Sequence, residues 1–151
     1  MKTLIIFYSY SGNTKELALA RAKETGADIE EITETKKQST IAAYTTGCYM
    51  AIKGKKSEII PLRSNLDDYE KIIIMSPIWA ANPVPAVFNI FDLLPAGKKV
   101  ELVMVSAGGG TKGSKERTKA LVTARGCEVI NYSDIKAKRK NGELVSELLH
   151  N

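Results

Sequence analysis

The stretch Thr3-Leu4-Ile5-Ile6-Phe7-Tyr8-Ser9-Tyr10-Ser11-Gly12-Asn13-Thr14 decides how the chain folds. Its first half is a short apolar run of the kind found in a strand buried on both faces, and Lys15 to Thr25 reads as a helix. Tyr8 to Thr14 is therefore a strand-to-helix loop, made of hydroxyls, an amide and a glycine, with no acid. At a helix start the unpaired backbone N–H groups and the positive dipole end favour an anion. The hydroxyls of Ser9, Ser11 and Thr14 add donors, and Gly12 permits a sharp turn. Ser, Thr and Asn are also the preferred helix caps, so the loop by itself supports a phosphate cradle and an ordinary cap about equally. It has neither a Gly-Lys-Ser/Thr phosphate loop nor the spaced glycines of a dinucleotide fingerprint. An anion here would be held by neutral donors, which suits a monoester phosphate.

Working outward, strand-like and helix-like stretches alternate. The first helix stops at Gly26, and Asp28 to Thr33 reads as an edge strand with few apolar positions. A second helix is expected over about Ser39 to Lys53. Ile72-Ile73-Ile74-Met75 is a central strand, apolar on both faces. The loop Ser76 to Pro83 follows it and leads into a helix whose Val84, Val87, Phe88, Phe91 and Leu94 form one stripe. Val100 to Val105 is a fourth strand, and Ser106 to Thr111 with its glycine run opens onto a helix over about Ser114 to Arg125. Glu128 to Tyr132 is a fifth strand. Leu144, Val145, Leu148 and Leu149 are spaced for a short last helix over Glu143 to Leu149. The basic run Lys136 to Lys140 and Asn141-Gly142 between them read as a solvated turn.

Five strands alternating with helices predict right-handed βαβ units and an open parallel sheet, an α/β single domain over 1–151. Its length suffices for one core without disulfides. Cys48 and Cys127 have no CxxC partner and read as buried small residues; the one histidine, His150, gives no metal cluster or catalytic triad. The net charge of +5 reads as a solvated surface rather than a nucleic-acid footprint. No stretch has the length of a membrane span or the anatomy of a signal peptide, so a cytoplasmic location is expected.

In such sheets, ligands sit beyond the carboxyl ends of the strands where strand order reverses. The three loops of unusual composition follow the first, third and fourth strands, and that coincidence raises the phosphate reading. Trp79, the only tryptophan, stands in a proline-flanked loop where it can lie against a planar ligand. Gly108-Gly109-Gly110 lets backbone approach a ring closely.

Ser9-Tyr10-Ser11-Gly12-Asn13-Thr14 is similar to the Thr/Ser-X-Thr/Ser-Gly-X-Thr loop of the flavodoxin-like family, and Ser76-Pro77-Ile78-Trp79 with Asn82, Pro83 and Pro85 resembles its second flavin loop. The resemblance, to the short-chain kind, covers about Lys2 to Tyr132. It implies strand order 2-1-3-4-5, helices on both faces and FMN as cofactor. Ser9, Tyr10, Ser11, Gly12, Asn13 and Thr14 would surround the phosphate; Pro77, Ile78, Trp79 and Ala80 with Ala107, Gly108, Gly109 and Gly110 would flank the ring. The chain departs from the family in its third loop, which lacks the usual aromatic and acids and is followed by Lys112 and Lys115. A positive field there predicts stabilisation of an anionic reduced flavin, and an uncovered face leaves room for a planar substrate. Ala80-Ala81 stands where a glycine is common, and predicts a weaker neutral one-electron form because positive φ costs alanine more.

The expected function is an FMN-binding electron-transfer protein serving a redox partner protein or a small planar acceptor. The alternative is an FMN-dependent NAD(P)H oxidoreductase acting on quinones or similar acceptors. A doubly wound module without flavin comes third, since the first loop lacks the acidic pair that holds magnesium. No nucleic-acid or membrane partner is expected, and the oligomeric state is a monomer or weak homodimer.

Overall fold

The apolar runs form the centre of one sheet in the computed structural model, which describes residues 2–36 and 39–150. Strands β1 (Thr3–Phe7), β2 (Asp28–Glu31), β3 (Lys71–Trp79), β4 (Asn82–Pro83), β5 (Lys99–Ser106), β6 (Glu128–Lys140) and β7 (Glu143–Leu149) are joined by helices α1 (Asn13–Thr25), α2 (Thr40–Ala42), α3 (Cys48–Lys53), α4 (Pro85–Leu93) and α5 (Lys115–Thr123). The sheet runs β2-β1-β3-β5-β6-β7, with β4 paired only to β3. Its parallel part reproduces the expected order, and the reversal lies between β1 and β3, both entering the sheet in parallel register through Leu4↔Ile72 and Ile6↔Ile74.

Two cores flank this sheet. Ile6, Ile72, Ile74, Leu102 and Met104 pack under α4 and α5 on one face, with Val87, Ile90, Phe91 and Val122 fully covered. Ile5, Phe7, Ile73, Met75, Val103 and Val105 face the other way, onto Ala18 of α1. The alternation of inward side chains on β1 and β3 is thus read by helices on both sides, which is why these strands are continuously apolar.

The carboxyl-terminal segment differs from expectation. Glu143 to Leu149 is a strand, not a helix, and β6 continues past Tyr132 through the basic run to Lys140, where Asn141 (φ 52°) and Gly142 (φ 80°) turn it back into antiparallel β7. Positive φ at both central residues is the type I′ geometry for which Asn-Gly is favoured. The Leu144-Val145 and Leu148-Leu149 pairs fit either period, and only pairing with β6 decides between them. The sheet therefore has seven strands rather than five. Lys136 and Lys140 are strand residues opposite Glu147 and Glu143, and Lys136 Nζ pairs with Glu147 at 3.5 Å.

The helix expected over Ser39 to Lys53 is α2, a π-helical turn at Ala43–Gly47, and α3 in succession, started by Ser39, whose side chain accepts the Ala42 N–H. Only Ala43, Gly47 and Ala51 of it are buried. Arg117 of α5 holds its far end by donating to the carbonyls of Ile52 and Ala51 at 2.7 and 3.2 Å.

Candidate functional site

The loop after β1 closes on itself. Gly12 sits at φ 99°, and Ser9 Oγ accepts the N–H groups of both Gly12 and Lys15 at 3.1 Å. That leaves the backbone N–H groups of Ser11, Asn13 and Thr14 without a partner among the described residues, at the positive end of a 13-residue helix. Ser9 thus shapes the turn, while the unclaimed donors belong to its neighbours. Lys15, the cation that follows the loop in sequence, pairs with Glu31 at 3.3 Å.

The second loop is a tight hairpin. Trp79 pairs with Asn82 across Ala80 (φ 51°) and Ala81 (φ 60°), again the type I′ pattern, here without glycine. Side chains hold the strained turn in place: Asn82 Nδ2 donates to the Ala80 carbonyl at 2.6 Å, Ser114 Oγ donates to the Ala81 carbonyl at 2.7 Å, and Arg117 Nη2 donates to Asn82 Oδ1 at 2.7 Å. Backbone strain persists where its surroundings over-determine it. The Trp79 ring meets Tyr10 and Tyr8 edge to face, at centroid distances of 5.7 and 6.3 Å, and this fixes its plane. Tyr8 in turn donates to Glu34 Oε1 at 2.5 Å; burial, reinforced by that carboxylate, raises its phenol well above the ordinary value.

The third loop is also ordered by its neighbours. Ser106 Oγ accepts the N–H groups of Gly108 and Gly110 at 3.2 and 3.4 Å. Beneath it, fully buried Thr111 donates to Asp134 Oδ1 at 2.7 Å and meets the Tyr132 hydroxyl at 2.5 Å. Burial pushes the Tyr132 phenol up to about 12, with Thr111 opposing and Asp134 adding to the shift.

These loops enclose a cavity of about 460 Å³ at the carboxyl ends of β1, β3 and β5. Tyr10, Ser11, Asn13 and Thr14 line one end, and Pro77, Ile78, Trp79 and Ala80 with Ala107 line the other. Ser9, Gly12, Gly108, Gly109 and Gly110, expected at the site, are not among the lining residues; Ser9 orders the first loop through the N–H groups of Gly12 and Lys15, and Gly108 and Gly109 are exposed. The sequence did not reveal Thr40, Ala43, Tyr44 and Cys48, which α2, the π-turn and the start of α3 bring to the cavity, nor Ala137 from the extended β6. Cys48 is accordingly half-buried at the cavity rather than a core residue, whereas Cys127 is buried. A larger depression of about 650 Å³ between α4 and the Ile59 to Asp67 connector lies away from all three loops. No group of metal-ligating side chains occurs among the described residues.

The lining fits a flavin mononucleotide: unclaimed N–H donors for a phosphate at one end, and a fixed indole and small side chains for a ring at the other. Residues 1–133 match the family model of NADPH-dependent FMN reductase. No curated protein sequence matches the chain. A flavoprotein from Lactobacillus acidophilus, solved in complex with FMN, is 26% identical with a TM-score of 0.74, covering 88% of this chain and 92% of that one. Two-electron reduced flavodoxin from Megasphaera elsdenii is 21% identical with a TM-score of 0.54, over 87% of this chain and 84% of that one. Flavodoxin 1 from Bacillus cereus, 20% identical with a TM-score of 0.50, covers 89% and 84%. The expected flavodoxin-like fold and FMN cofactor agree with these findings, and the chain belongs to the NADPH-dependent FMN reductase family.

Proposed function

We propose that the chain is an FMN-dependent oxidoreductase that takes hydride from a reduced nicotinamide dinucleotide and delivers it to a planar acceptor such as a quinone. The third loop carries this reading. It presents only the small residues Ser106 and Ala107 to the cavity, where a carrier would cover the ring with an aromatic side chain. Hydride transfer needs donor and acceptor atoms about 3–3.5 Å apart, and a loop without bulk leaves space for a second ring at that distance.

Bound FMN would supply the hydride- and electron-transfer chemistry. The N–H groups of Ser11, Asn13 and Thr14 would hold its phosphate, and Trp79, fixed by Tyr8 and Tyr10, would support one face of the ring. Among the described residues no carboxylate or histidine lines the cavity, and the chain would contribute binding, orientation and electrostatics rather than an acid or base. Lys112 and Lys115 follow the open loop, and Lys115 Nζ sits 5.3 Å from the centre of the Tyr132 ring. Their positive field favours added negative charge on a reduced ring and suits the phosphates of a nicotinamide dinucleotide.

Electron carriage to a protein partner is the second reading, favoured by the same two lysines, which would suit an acidic surface. Anaerobic mixing of the FMN-loaded protein with NADPH or NADH separates the two. A reductase is bleached within seconds and recovers its yellow colour when a quinone is added. Flavin that stays oxidised until a separate reductase is supplied favours the carrier, and a protein that takes up no FMN overturns both.

A further inference from the structure

The carboxyl-terminal hairpin reaches the phosphate end of the cavity. Ala137, 3% exposed, lines the cavity, and Arg139, two residues further on the same face of β6, extends over the first turn of α1. Arg139 Nε donates to Asn13 Oδ1 at 3.2 Å, and Nη1 pairs with Glu16 Oε2 at 2.7 Å. Leu144, opposite Arg139 on β7, packs into the core on the α1 side and seats the tip there.

We propose that Arg139 is a specificity-determining residue that makes the site select a flavin carrying a phosphate over one without it. This rests on the proposed binding of FMN in the cavity. Arg139 acts in two ways. An Asn13 side chain whose carbonyl oxygen is committed to Arg139 has its NH2 donors left for an anion. Glu16 places a negative charge in the helix turn that would receive a dianionic phosphate, and the guanidinium cancels it. Lys15, committed to Glu31, leaves this duty to the hairpin.

The test is the affinity of the flavin-free full-length chain for FMN and for riboflavin, read by quenching of flavin fluorescence. Arg139→Gln should weaken FMN binding about fivefold, the scale of a partly exposed charge pair, and leave riboflavin within about twofold. Raising the salt concentration should shrink the difference between the native chain and the variant. Glu16→Gln leaves Arg139 in place and uncompensated, and should tighten FMN binding severalfold; added to Arg139→Gln, it should restore most of the lost affinity. Parallel loss of FMN and riboflavin would mean the hairpin merely supports the fold, and would overturn the proposal, as would unchanged FMN affinity or failure of Glu16→Gln to shift it. A native chain that binds neither flavin overturns the proposed function as well, whereas native binding of FMN with indifferent variants overturns only the role of Arg139.

Discussion

Ala80 and Ala81 show what the pocket demands of single residues. Left-handed backbone costs alanine about 1–2 kcal/mol, yet the β3–β4 turn places both there. The carbonyls of both are taken by side chains, that of Ala80 by Asn82, which closes the turn, and that of Ala81 by Ser114 of the α5 start. The turn is therefore locked by side-chain hydrogen bonds rather than by residues that favour its backbone geometry. Ala81→Gly relieves strain in the fold and adds about 0.4–1 kcal/mol of chain entropy to the unfolded state. The relief is the larger effect, so the urea midpoint should rise by the equivalent of about 0.5–1 kcal/mol. Equilibrium unfolding checks this, and a lowered midpoint would mean that the turn is not strained. The position of Trp79 at the cavity was legible because it stands in a loop flanked by prolines. Tyr44 and Cys48 were not, because they reach the cavity across space from the helical segment between β2 and β3, and nothing in their local pattern marks that approach. Tyr44 is 77% exposed, a position that sequence alone does not separate from ordinary surface.

Among the elements, α1 is joined to the sheet by charge as well as by apolar packing. Glu101, 3% exposed in the middle of β5, receives Arg21 of α1 at 2.6 and 2.8 Å and Lys71 of β3 at 3.3 Å. Burial alone would raise its carboxyl, but the hydrogen bonds and charges of Arg21 and Lys71 outweigh that and hold it below the ordinary value of 4.5. A carboxyl depressed in the fold adds stability that is present above its unfolded value and is lost as pH falls through the folded one. The urea midpoint should therefore decline as pH drops below about 4.5. Glu101→Gln should cost about 2 kcal/mol near neutral pH, less than a fully buried pair because Arg21 is partly exposed, and should flatten that acid limb. An acid limb unchanged by the substitution would assign the pH dependence elsewhere. The alternation of strands and helices was legible because βαβ units are local and strongly periodic. The hairpin was not, since its paired leucines satisfy both periods and its lysines read as solvent. Asn141-Gly142 was the overlooked signal: between two stretches that can alternate, it favours a hairpin over a helix start.

At the scale of the whole molecule, the cavity is assembled from parts far apart in the chain: the first loop, the π-turn segment, the β3–β4 hairpin, the third loop and the end of β6. Two of these, the π-turn segment and the β6–β7 hairpin, bury few large side chains. Ile41 and Tyr44 are each 77% exposed, and Val145 and Leu148 are 53% and 54% exposed. They are held by the β6–β7 ladder, by Leu144 and by Arg117 rather than by deep burial, so a ligand that bridges them ties thinly covered parts to the rigid sheet. A ligand bound only by the folded state stabilises by RT ln(1 + [L]/Kd), about 2.7 kcal/mol at a hundredfold excess over Kd. For a domain of this size, 1 kcal/mol shifts Tm by roughly 2–4 °C. FMN at that excess should raise Tm by about 5–10 °C, and native-state hydrogen exchange should slow most in 40–53 and 136–149, with little change in β1 and β3, whose amides are already protected by burial on both faces. A thermal shift with protection confined to Ser9 to Thr14 would place the flavin's phosphate correctly but leave the rest of the cavity uninvolved, and no shift at all would mean that FMN is not its ligand.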